Sequence, residues 1–283
     1  MKVVLFCGGL GMRLREHSES IPKPMVLIGY RPILWHIMKY YAHYGHKDFI
    51  LCLGYKADVI KDYFLHYEET LSNDFVFSDR GNKIKLLNSD IDDWKITFVD
   101  TGLNSNIGQR LKAVRPYLEG EEVFAANYTD ILTDLPLDEA FGKFSASGKI
   151  ASFIAVNPTQ SFHMVSIDNA GLVSRIQHVA ESGLRINGGY FFLKSEIFNY
   201  INDGEELVHE PFQRLIEQEQ LIAYRHDGFW ACMDTFKERQ LLEDMYTRGQ
   251  TPWEVWRRPA LHPHQGGARI LPAAGKNLKA EQA

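Results

Sequence analysis

The sequence has few cysteines and no long apolar run. Its three cysteines, Cys7, Cys52 and Cys232, are too few for a disulfide framework, and no two of them form a Cys-x-x-Cys pair. No apolar stretch approaches the ~20 residues that span a bilayer, and the apolar start of the chain is too short for a secretory signal. We therefore expect a cytoplasmic protein with free, buried thiols and no membrane partner.

An excess of positive charge is also missing. The 283 residues include 31 Lys or Arg and 36 Asp or Glu, which gives a formal net charge of −5. A protein that binds a phosphodiester backbone presents a basic surface, so this balance argues against a nucleic-acid partner. The apolar fraction of 45% is ordinary for a globular protein and provides an ample core.

Strand-like apolar runs alternate with segments of helical periodicity over the first half of the chain. The runs predict strands at 2–7, 48–53, 96–100, 123–128 and 150–156, and the segments between and after them predict helices at 32–44, 57–66, 110–118 and 137–147. This alternation is typical of βαβ units. It predicts an α/β fold with a doubly wound, mostly parallel sheet, like the Rossmann folds.

The alternation breaks in the insertion 68–95, which is polar and acidic and predicts a hairpin or an oligomer arm. Short strands with turns then predict an antiparallel extension at 164–167, 173–177 and 188–193, followed by helices at 195–200, 210–217 and 235–248. The segment 259–283 is rich in Gly, Pro and Ala and is predicted to be largely disordered. Apolar side chains in the insertion and in the aromatic stretch 251–256 predict a homo-oligomer.

The first predicted strand is followed directly by glycines, in MKVVLFCGGLGMRLREHSESIPKPM. Gly8, Gly9 and Gly11 would let a ligand approach the backbone, and after a strand that ligand is usually a phosphate. Their spacing matches neither the GxGxxG fingerprint nor the Walker loop, which needs GK[ST]. Arg13 and Lys23 follow closely, and the prolines of PKPM stiffen the segment that carries the lysine. Two cations beside exposed amides predict a cradle for a polyanion.

Several stretches, in order, resemble the sugar-1-phosphate nucleotidylyltransferases. The GGxGxRL…PKPM pattern carries this resemblance. The stretches closest to the glucose-1-phosphate cytidylyltransferase branch are PILWHIMK (32–39), VDTG (99–102), GQRLK (108–112), INGGYFFL (186–193) and GFWACMDT (228–235). The resemblance implies an enzyme that joins CTP to a phosphorylated sugar or sugar-like acceptor and releases pyrophosphate. It implies a nucleotidyltransferase domain at 1–258, divided into a nucleotide-binding part at about 1–160 and an acceptor-binding part at about 161–258.

Such a reaction needs cations more than a general base, because the acceptor phosphate is already a nucleophile at neutral pH. Magnesium, held by one or two carboxylates, suits this task. Asp130 follows a predicted strand at the edge where α/β sheets bind ligands, and Asp234 precedes a predicted helix. The resemblance places the Mg²⁺ ligands at these two positions. A turn residue and a helix N-cap are the alternative interpretations.

The resemblance also implies roles for the remaining site residues. Four are catalytic: Arg13 on the β- and γ-phosphates, Lys23 on the α-phosphate, and the two aspartates, Asp130 and Asp234. The implied nucleotide-binding residues are Gly8, Gly9, Leu10, Gly11, Met12, Arg13, Lys23, Ser105, Arg110 and Thr129. Ser105 and Arg110 match base and ribose contacts, with helix capping and a surface charge as alternatives. The acceptor contacts are Asn187, Gly188, Gly189, Glu210 and Trp230, and Trp230 has a core role as its alternative.

Two departures from the family pattern concern the nucleotide and the acceptor. Thr129 and Ile131 stand where the family has glycines beside its first metal ligand, which alters the approach to the nucleotide. The stretch 177–185 (QHVAESGLR) contains no lysine where the family has Glu-Lys-Pro, and Arg185 or His178 would have to replace it. These changes predict an acceptor other than plain glucose 1-phosphate. The same reaction with dTTP, UTP or GTP, and a nucleotide-binding regulatory subunit without turnover, remain as alternatives.

Overall fold

The computed structural model describes residues 1–9, 21–159 and 161–257, together with the backbone of 269–271. Its strands are β1 (Val3–Phe6), β2 (Leu27–Ile28), β3 (Arg31–Pro32), β4 (Asp48–Leu53), β5 (Phe75–Ser78), β6 (Lys83–Leu86), β7 (Lys95–Asp100), β8 (Val123–Tyr128), β9 (Ile131–Thr133), β10 (Ala151–Val156), β11 (His163–Ile167), β12 (Val173–His178), β13 (Ile186–Lys194), β14 (Leu221–His226), β15 (Trp230–Cys232) and β16 (Arg269–Leu271). Its α-helices are α1 (Ile33–His43), α2 (Ala57–Leu65), α3 (Ile107–Val114), α4 (Leu137–Ser147), α5 (Glu210–Glu217) and α6 (Phe236–Thr247).

A seven-stranded sheet in the order β14-β10-β13-β8-β1-β4-β7 forms the centre of the molecule. All its strands run in one direction except β13, which is antiparallel to both β8 and β10. The predicted α/β fold with a mostly parallel sheet is thus confirmed. The predicted antiparallel part is a single strand inside this sheet, and the neighbouring hairpin β11–β12 pairs separately.

Both faces of the sheet are covered by apolar clusters, as the unbroken apolar run of β1 predicts. Val3 and Leu5 pack into the cluster that includes α1, whereas Val4 and Phe6 pack into the cluster that includes α3 and α5. Because β1 is buried on both sides, it is held rigidly. The loop that follows it therefore starts from a fixed point.

Most predicted elements begin and end within one or two residues of the observed ones. The largest difference is the helix predicted at 110–118, which begins earlier as α3 and continues as a 3₁₀ turn at Arg115–Leu118. Asn106 and Gln109 form a capping box, in which each side chain accepts the other residue's backbone N–H, and this sets the start of α3. None of the helices in the described ranges is long and apolar enough to cross a lipid bilayer.

The insertion 68–95 forms the hairpin that the sequence predicts, from β5 and β6. The backbone of β16, inside the segment predicted to be disordered, adds a third strand beside β6, while the rest of 259–283 lies outside the described residues. Phe77 in the hairpin is 64% exposed, but Trp253 in the aromatic stretch is only 1% exposed. The stretch 251–256 is therefore largely core, which corrects the expectation that it offers apolar surface. The homo-oligomer stays a prediction.

Candidate functional site

A cavity of about 390 Å³ opens at the carboxyl ends of the parallel, paired strands β1 and β8, beside the start of α3. This edge is where open α/β sheets bind ligands, because the connections on its two sides diverge there. The cavity is lined by Phe6, Cys7, Gly8, Gly9, Lys23, Pro24, Ser105, Asn106, Ile107, Arg110, Tyr128, Thr129, Asp130, Glu206 and Asp234. It thus gathers residues from segments that are far apart in the chain.

The two predicted metal ligands meet in this cavity. Asp130 follows β8, and Asp234 follows β15, which pairs with β9 so that Cys232 lies opposite Ile131. The backbone N–H of Met233 donates a hydrogen bond of 2.8 Å to the carbonyl of Asp130. These backbone bonds fix one acid against the other across a sequence separation of about a hundred residues.

The Lys23 ammonium lies between the two aspartates. Its Nζ is 2.5 Å from Asp130 Oδ2 and 2.5 Å from Asp234 Oδ1. The lysine begins a 3₁₀ turn that Pro22 caps and Pro24 stiffens, as the PKPM motif predicts. One cation therefore already bridges both carboxylates, although Lys23 is 107 residues from Asp130 and 211 residues from Asp234 in the sequence.

Burial and the neighbouring charges shift the pKa values of Lys23 and Asp130. Burial raises the pKa of Asp130, and the Lys23 ammonium opposes that rise. Burial acts to lower the pKa of Lys23, but the nearby Asp130 and Asp234 carboxylates outweigh it, so the pKa of Lys23 lies above its usual value. The lysine therefore remains charged at neutral pH.

Asp234 is not the N-cap of α6, which was its alternative interpretation. Thr235 has that role: its hydroxyl accepts a hydrogen bond from the N–H of Glu238, whose carboxylate accepts the N–H of Thr235 in return. The Glu238 carboxylate also accepts the N–H of Asp234. The capping box thus holds the backbone of Asp234 while leaving its carboxylate turned to the cavity and Lys23.

Arg110 is buried, with 3% exposure, which rules out the surface-charge interpretation. Its guanidinium donates hydrogen bonds to the carbonyls of Gly8, Leu53 and Gly102, and to the hydroxyl of Thr101 at 2.7 Å. These oxygens belong to the end of β4 and to the loops after β1 and β7. Arg110 therefore ties the ends of three neighbouring strands together at the wall of the cavity.

Gly8 is required by the approach of this guanidinium. A Cβ on Gly8 would overlap the Arg110 guanidinium, which cannot swing away without losing its hydrogen bonds, whereas a Cβ on Gly9 would have no heavy atom of the described residues within 4 Å. We expect Gly8→Ala to lower the free energy of unfolding by about 1–3 kcal/mol, as overpacking does, and Gly9→Ala to leave it near the wild-type value. Chemical denaturation of the two variants checks this. Equal losses in both would contradict the overlap.

Ser105 and Thr129 line the same wall. The Ser105 hydroxyl donates to the carbonyl of Thr101, and the helix cap is the adjacent Asn106, so the capping interpretation of Ser105 is also wrong. The Thr129 hydroxyl donates to the carbonyl of Phe6 at 2.9 Å. Thr129, which stands where the family resemblance places a glycine, thus links the end of β8 to the end of β1 through its hydroxyl.

The predicted acceptor residues Asn187, Gly188 and Gly189 lie at the start of β13. Gly188 packs closely against Ile154, and Gly189 has a φ of +73°, which glycine adopts readily. Trp230 is 7% exposed, and its Nε1 donates to the carbonyl of Gly188 at 3.0 Å. Trp230 is therefore a core aromatic that also holds Gly188 in place within β13.

None of these four residues lines the cavity that holds Lys23 and the aspartates, and three other residues named for the acceptor lie away from it as well. Arg185 donates to the carboxylate of Asp227 and to the carbonyl of His226. His178 pairs with His163 across the hairpin, and Glu210 is exposed in the first turn of α5. None of these three lines the cavity that holds Lys23 and the aspartates. Their acceptor roles stay predictions.

Four of the sequence-predicted residues, Leu10, Gly11, Met12 and Arg13, lie outside the described residues. The structure in turn adds cavity-lining residues that the sequence reasoning missed, among them Glu206. The Glu206 carboxylate accepts the backbone N–H of Ile107 at 3.1 Å, at the start of α3. No local motif marks this residue, because only the packing of the 201–207 loop against α3 brings it to the cavity.

The donor set fits a divalent cation. An oxygen of Asp130, an oxygen of Asp234 and the Cys232 sulfur all lie within 4.8 Å of one another. The Lys23 ammonium, bound to both carboxylates, shows that the space between them already accommodates a cation. A hard divalent ion takes oxygen ligands of this kind, with phosphate and water completing its coordination.

Comparison with known proteins identifies the family. The nucleotidyl transferase family model matches residues 2–245. The glucose-1-phosphate cytidylyltransferase of Salmonella typhimurium is 41% identical over 258 residues, which cover 90% of this chain and 100% of the relative. The probable glucose-1-phosphate cytidylyltransferase of Bacillus subtilis is 36% identical over 258 residues, which likewise cover 90% of this chain and 100% of the relative.

Solved structures show the same fold. HddC from Yersinia pseudotuberculosis superposes with a TM-score of 0.60 at 22% identity, covering 87% of this chain and 99% of the other. A UDP-glucose pyrophosphorylase complexed with UDP-glucose superposes with a TM-score of 0.63 at 16% identity, covering 88% and 98%. The family model, the two sequence relatives and the shared fold agree with the resemblance seen in the motifs. The chain therefore belongs to the nucleotidyl transferase family and is a nucleotidyltransferase.

Proposed function

We propose that this protein is a Mg²⁺-dependent cytidylyltransferase that joins CTP to a phosphorylated sugar or sugar-like acceptor. The observation that carries the proposal is the Lys23 ammonium held between Asp130 and Asp234 in a cavity bounded by Gly8 and Gly9. The sequence relatives support the choice of CTP, since two of them are named for cytidylyl transfer.

In this reaction an oxygen of the acceptor phosphate attacks the α-phosphorus of CTP. The bond from the α-phosphorus to the bridging oxygen breaks, and the electron pair leaves with pyrophosphate. When bound at Asp130 and Asp234, Mg²⁺ supplies positive charge that offsets the charge of the phosphates. Lys23, on its stiffened turn, then offers its ammonium to the α-phosphate, and Arg13 carries the same role toward the β- and γ-phosphates.

The wall formed by Ser105, Arg110 and Thr129 is proposed to hold the base and ribose. The Arg110 hydrogen bonds to backbone carbonyls set the shape of this wall before any nucleotide binds. A wall whose shape is fixed in advance loses little entropy on binding, which favours a tight fit for one base. The choice of base would thus depend on the shape that the Arg110 hydrogen bonds give to this wall.

The acceptor is proposed to differ from plain glucose 1-phosphate. The stretch 177–185 has no lysine, and Arg185 is held by Asp227 and by backbone carbonyls instead of facing the cavity. A family member without the usual lysine must bind the acceptor phosphate through other groups. Another sugar phosphate, a cyclitol phosphate or a phosphonate are the acceptors that we propose.

Pyrophosphate release tests the proposal directly. Purified protein with Mg²⁺ is given CTP, UTP, dTTP or GTP, each alone and with a panel of phosphorylated acceptors, and Asp130→Asn serves as the inactive control. We expect release only with CTP plus an acceptor, and faster release with an acceptor other than glucose 1-phosphate. Preference for another triphosphate would overturn the choice of CTP, and preference for glucose 1-phosphate would overturn the variant acceptor. Nucleotide binding without release under any condition would indicate a regulatory subunit.

A further inference from the structure

A cysteine completes the candidate metal centre. The Cys232 sulfur lies within 4.8 Å of the Asp130 and Asp234 carboxylate oxygens, and no other group of three or more such ligands occurs among the residues that the structure describes. The other two cysteines, Cys7 and Cys52, are at the ends of β1 and β4 and do not belong to this group. The sulfur is thus a specific feature of this one site.

The fold fixes this sulfur in place. Cys232 ends β15 and pairs with Ile131 of β9, one residue after Asp130, and the next backbone N–H, that of Met233, donates to the Asp130 carbonyl. Asp234 lies two residues after Cys232, just beyond the end of β15. The three donor atoms therefore lie on two paired strand ends and not on a mobile loop, so they stay close together whether or not an ion is present.

Sulfur and oxygen ligands select different ions. Mg²⁺ takes oxygen ligands and would use only the two carboxylates, while Zn²⁺, Cd²⁺ and Co²⁺ also bind thiolate. We propose that Cys232 is a third ligand for thiophilic divalent ions at this centre, so that the site binds such ions more tightly than Mg²⁺. The thiol proton goes to solvent as the sulfur–metal bond forms, without change in oxidation state.

The consequence is a metal-dependent inhibition. An ion held by two carboxylates and a thiolate is bound by three protein atoms, and Mg²⁺ by two. A thiophilic ion would therefore occupy the centre at low concentration and be replaced slowly by Mg²⁺. This inference relies on the proposed function only in taking Asp130 and Asp234 as metal ligands; it needs neither CTP nor an acceptor.

Titration of the full-length protein with Co²⁺ and Cd²⁺, without nucleotide, tests the inference. Thiolate–metal bonds give a charge-transfer absorption in the ultraviolet that carboxylate ligands do not give. We expect this band in the wild type, saturating at one ion per chain. It should disappear in Cys232→Ser and Cys232→Ala and persist in Cys52→Ser, which removes a buried thiol elsewhere. Cd²⁺ affinity measured by calorimetry should fall at least about tenfold in the two Cys232 variants.

Three results would overturn the inference: a band that persists without Cys232, ion binding by the wild type without a band, or no binding of either ion. Circular dichroism confirms that each variant is folded, and the alanine variant serves if the serine variant is not. Wild-type turnover with Mg²⁺ is measured separately. If the wild type turns over but shows no thiolate–metal absorption band, only the sulfur ligand is rejected. If it shows the band but does not turn over, only the proposed function is rejected.

Discussion

Asp130→Asn is expected to lower kcat for nucleotidyl transfer by a factor of about 10²–10³ or more, and Asp234→Asn is expected to do the same. The carboxamide keeps the size of the side chain but removes the negative charge that would hold the divalent ion. Because burial raises the pKa of Asp130, a neutral group suits its surroundings, so the Asn variant should remain folded. Steady-state pyrophosphate release, at a Mg²⁺ concentration that saturates the wild type, measures the effect.

Asp138→Asn is the matched control for this pair. Asp138 is exposed in the first turn of α4 and does not line the cavity, so the same chemical change there should leave kcat near the wild-type value. Raising the Mg²⁺ concentration should recover part of the activity of the site variants if the loss comes from weaker metal binding. Wild-type turnover in either site variant would contradict the metal assignment and, with it, the proposed mechanism.

Lys23→Met is expected to change metal binding and turnover in opposite directions. In the free enzyme the ammonium is 2.5 Å from an oxygen of each aspartate and competes with any other cation for them. Removing it takes away the cation that competes for the two carboxylates, so Mn²⁺ affinity without nucleotide should rise at least about tenfold. Turnover should nevertheless fall by about 10²–10³, because the α-phosphate loses its cation.

Calorimetric Mn²⁺ titration and pyrophosphate release together check this prediction. Lys39→Met is the control, since Lys39 is also a partly buried lysine near an aspartate, Asp90, but lies in a different cavity. Its variant should show neither effect. A fall in Mn²⁺ affinity in Lys23→Met would mean that the lysine supports the metal site instead of competing for it.

The sequence predicted the framework well because the framework depends on local pattern. The apolar runs of β1, β4 and β8 are buried on both faces, so they carry no polar alternation and cannot be mistaken for surface segments. The start of α3 is earlier than predicted because the capping box of Asn106 and Gln109 begins the helix ahead of its apolar periodicity. The antiparallel direction of β13 was predicted, but its place inside the main sheet, between β8 and β10, had no local mark.

Parts of the site could be predicted for a different reason. The glycines, with Arg13 and the stiffened lysine, indicate a phosphate, and the family resemblance singles out the two aspartates; the structure brings Lys23, Asp130 and Asp234 together. The burial of Arg110 could not be predicted from the sequence. It arises, like the hydrogen bond to the Gly8 carbonyl, from contact between α3 and the segment after β1, which are about a hundred residues apart in the chain.

The sequence alone determined that this chain forms a mostly parallel α/β sheet, and it predicted a phosphate at the first loop, since periodicity and glycine placement act over a few residues. Only the tertiary structure decided that Lys23 bridges the two carboxylates, that Arg185 is held by Asp227, and that the Cys232 sulfur lies near both aspartates. These features depend on how paired strands bring distant side chains within a few ångströms. Long-range contacts of that kind are set by packing, not by neighbouring residues.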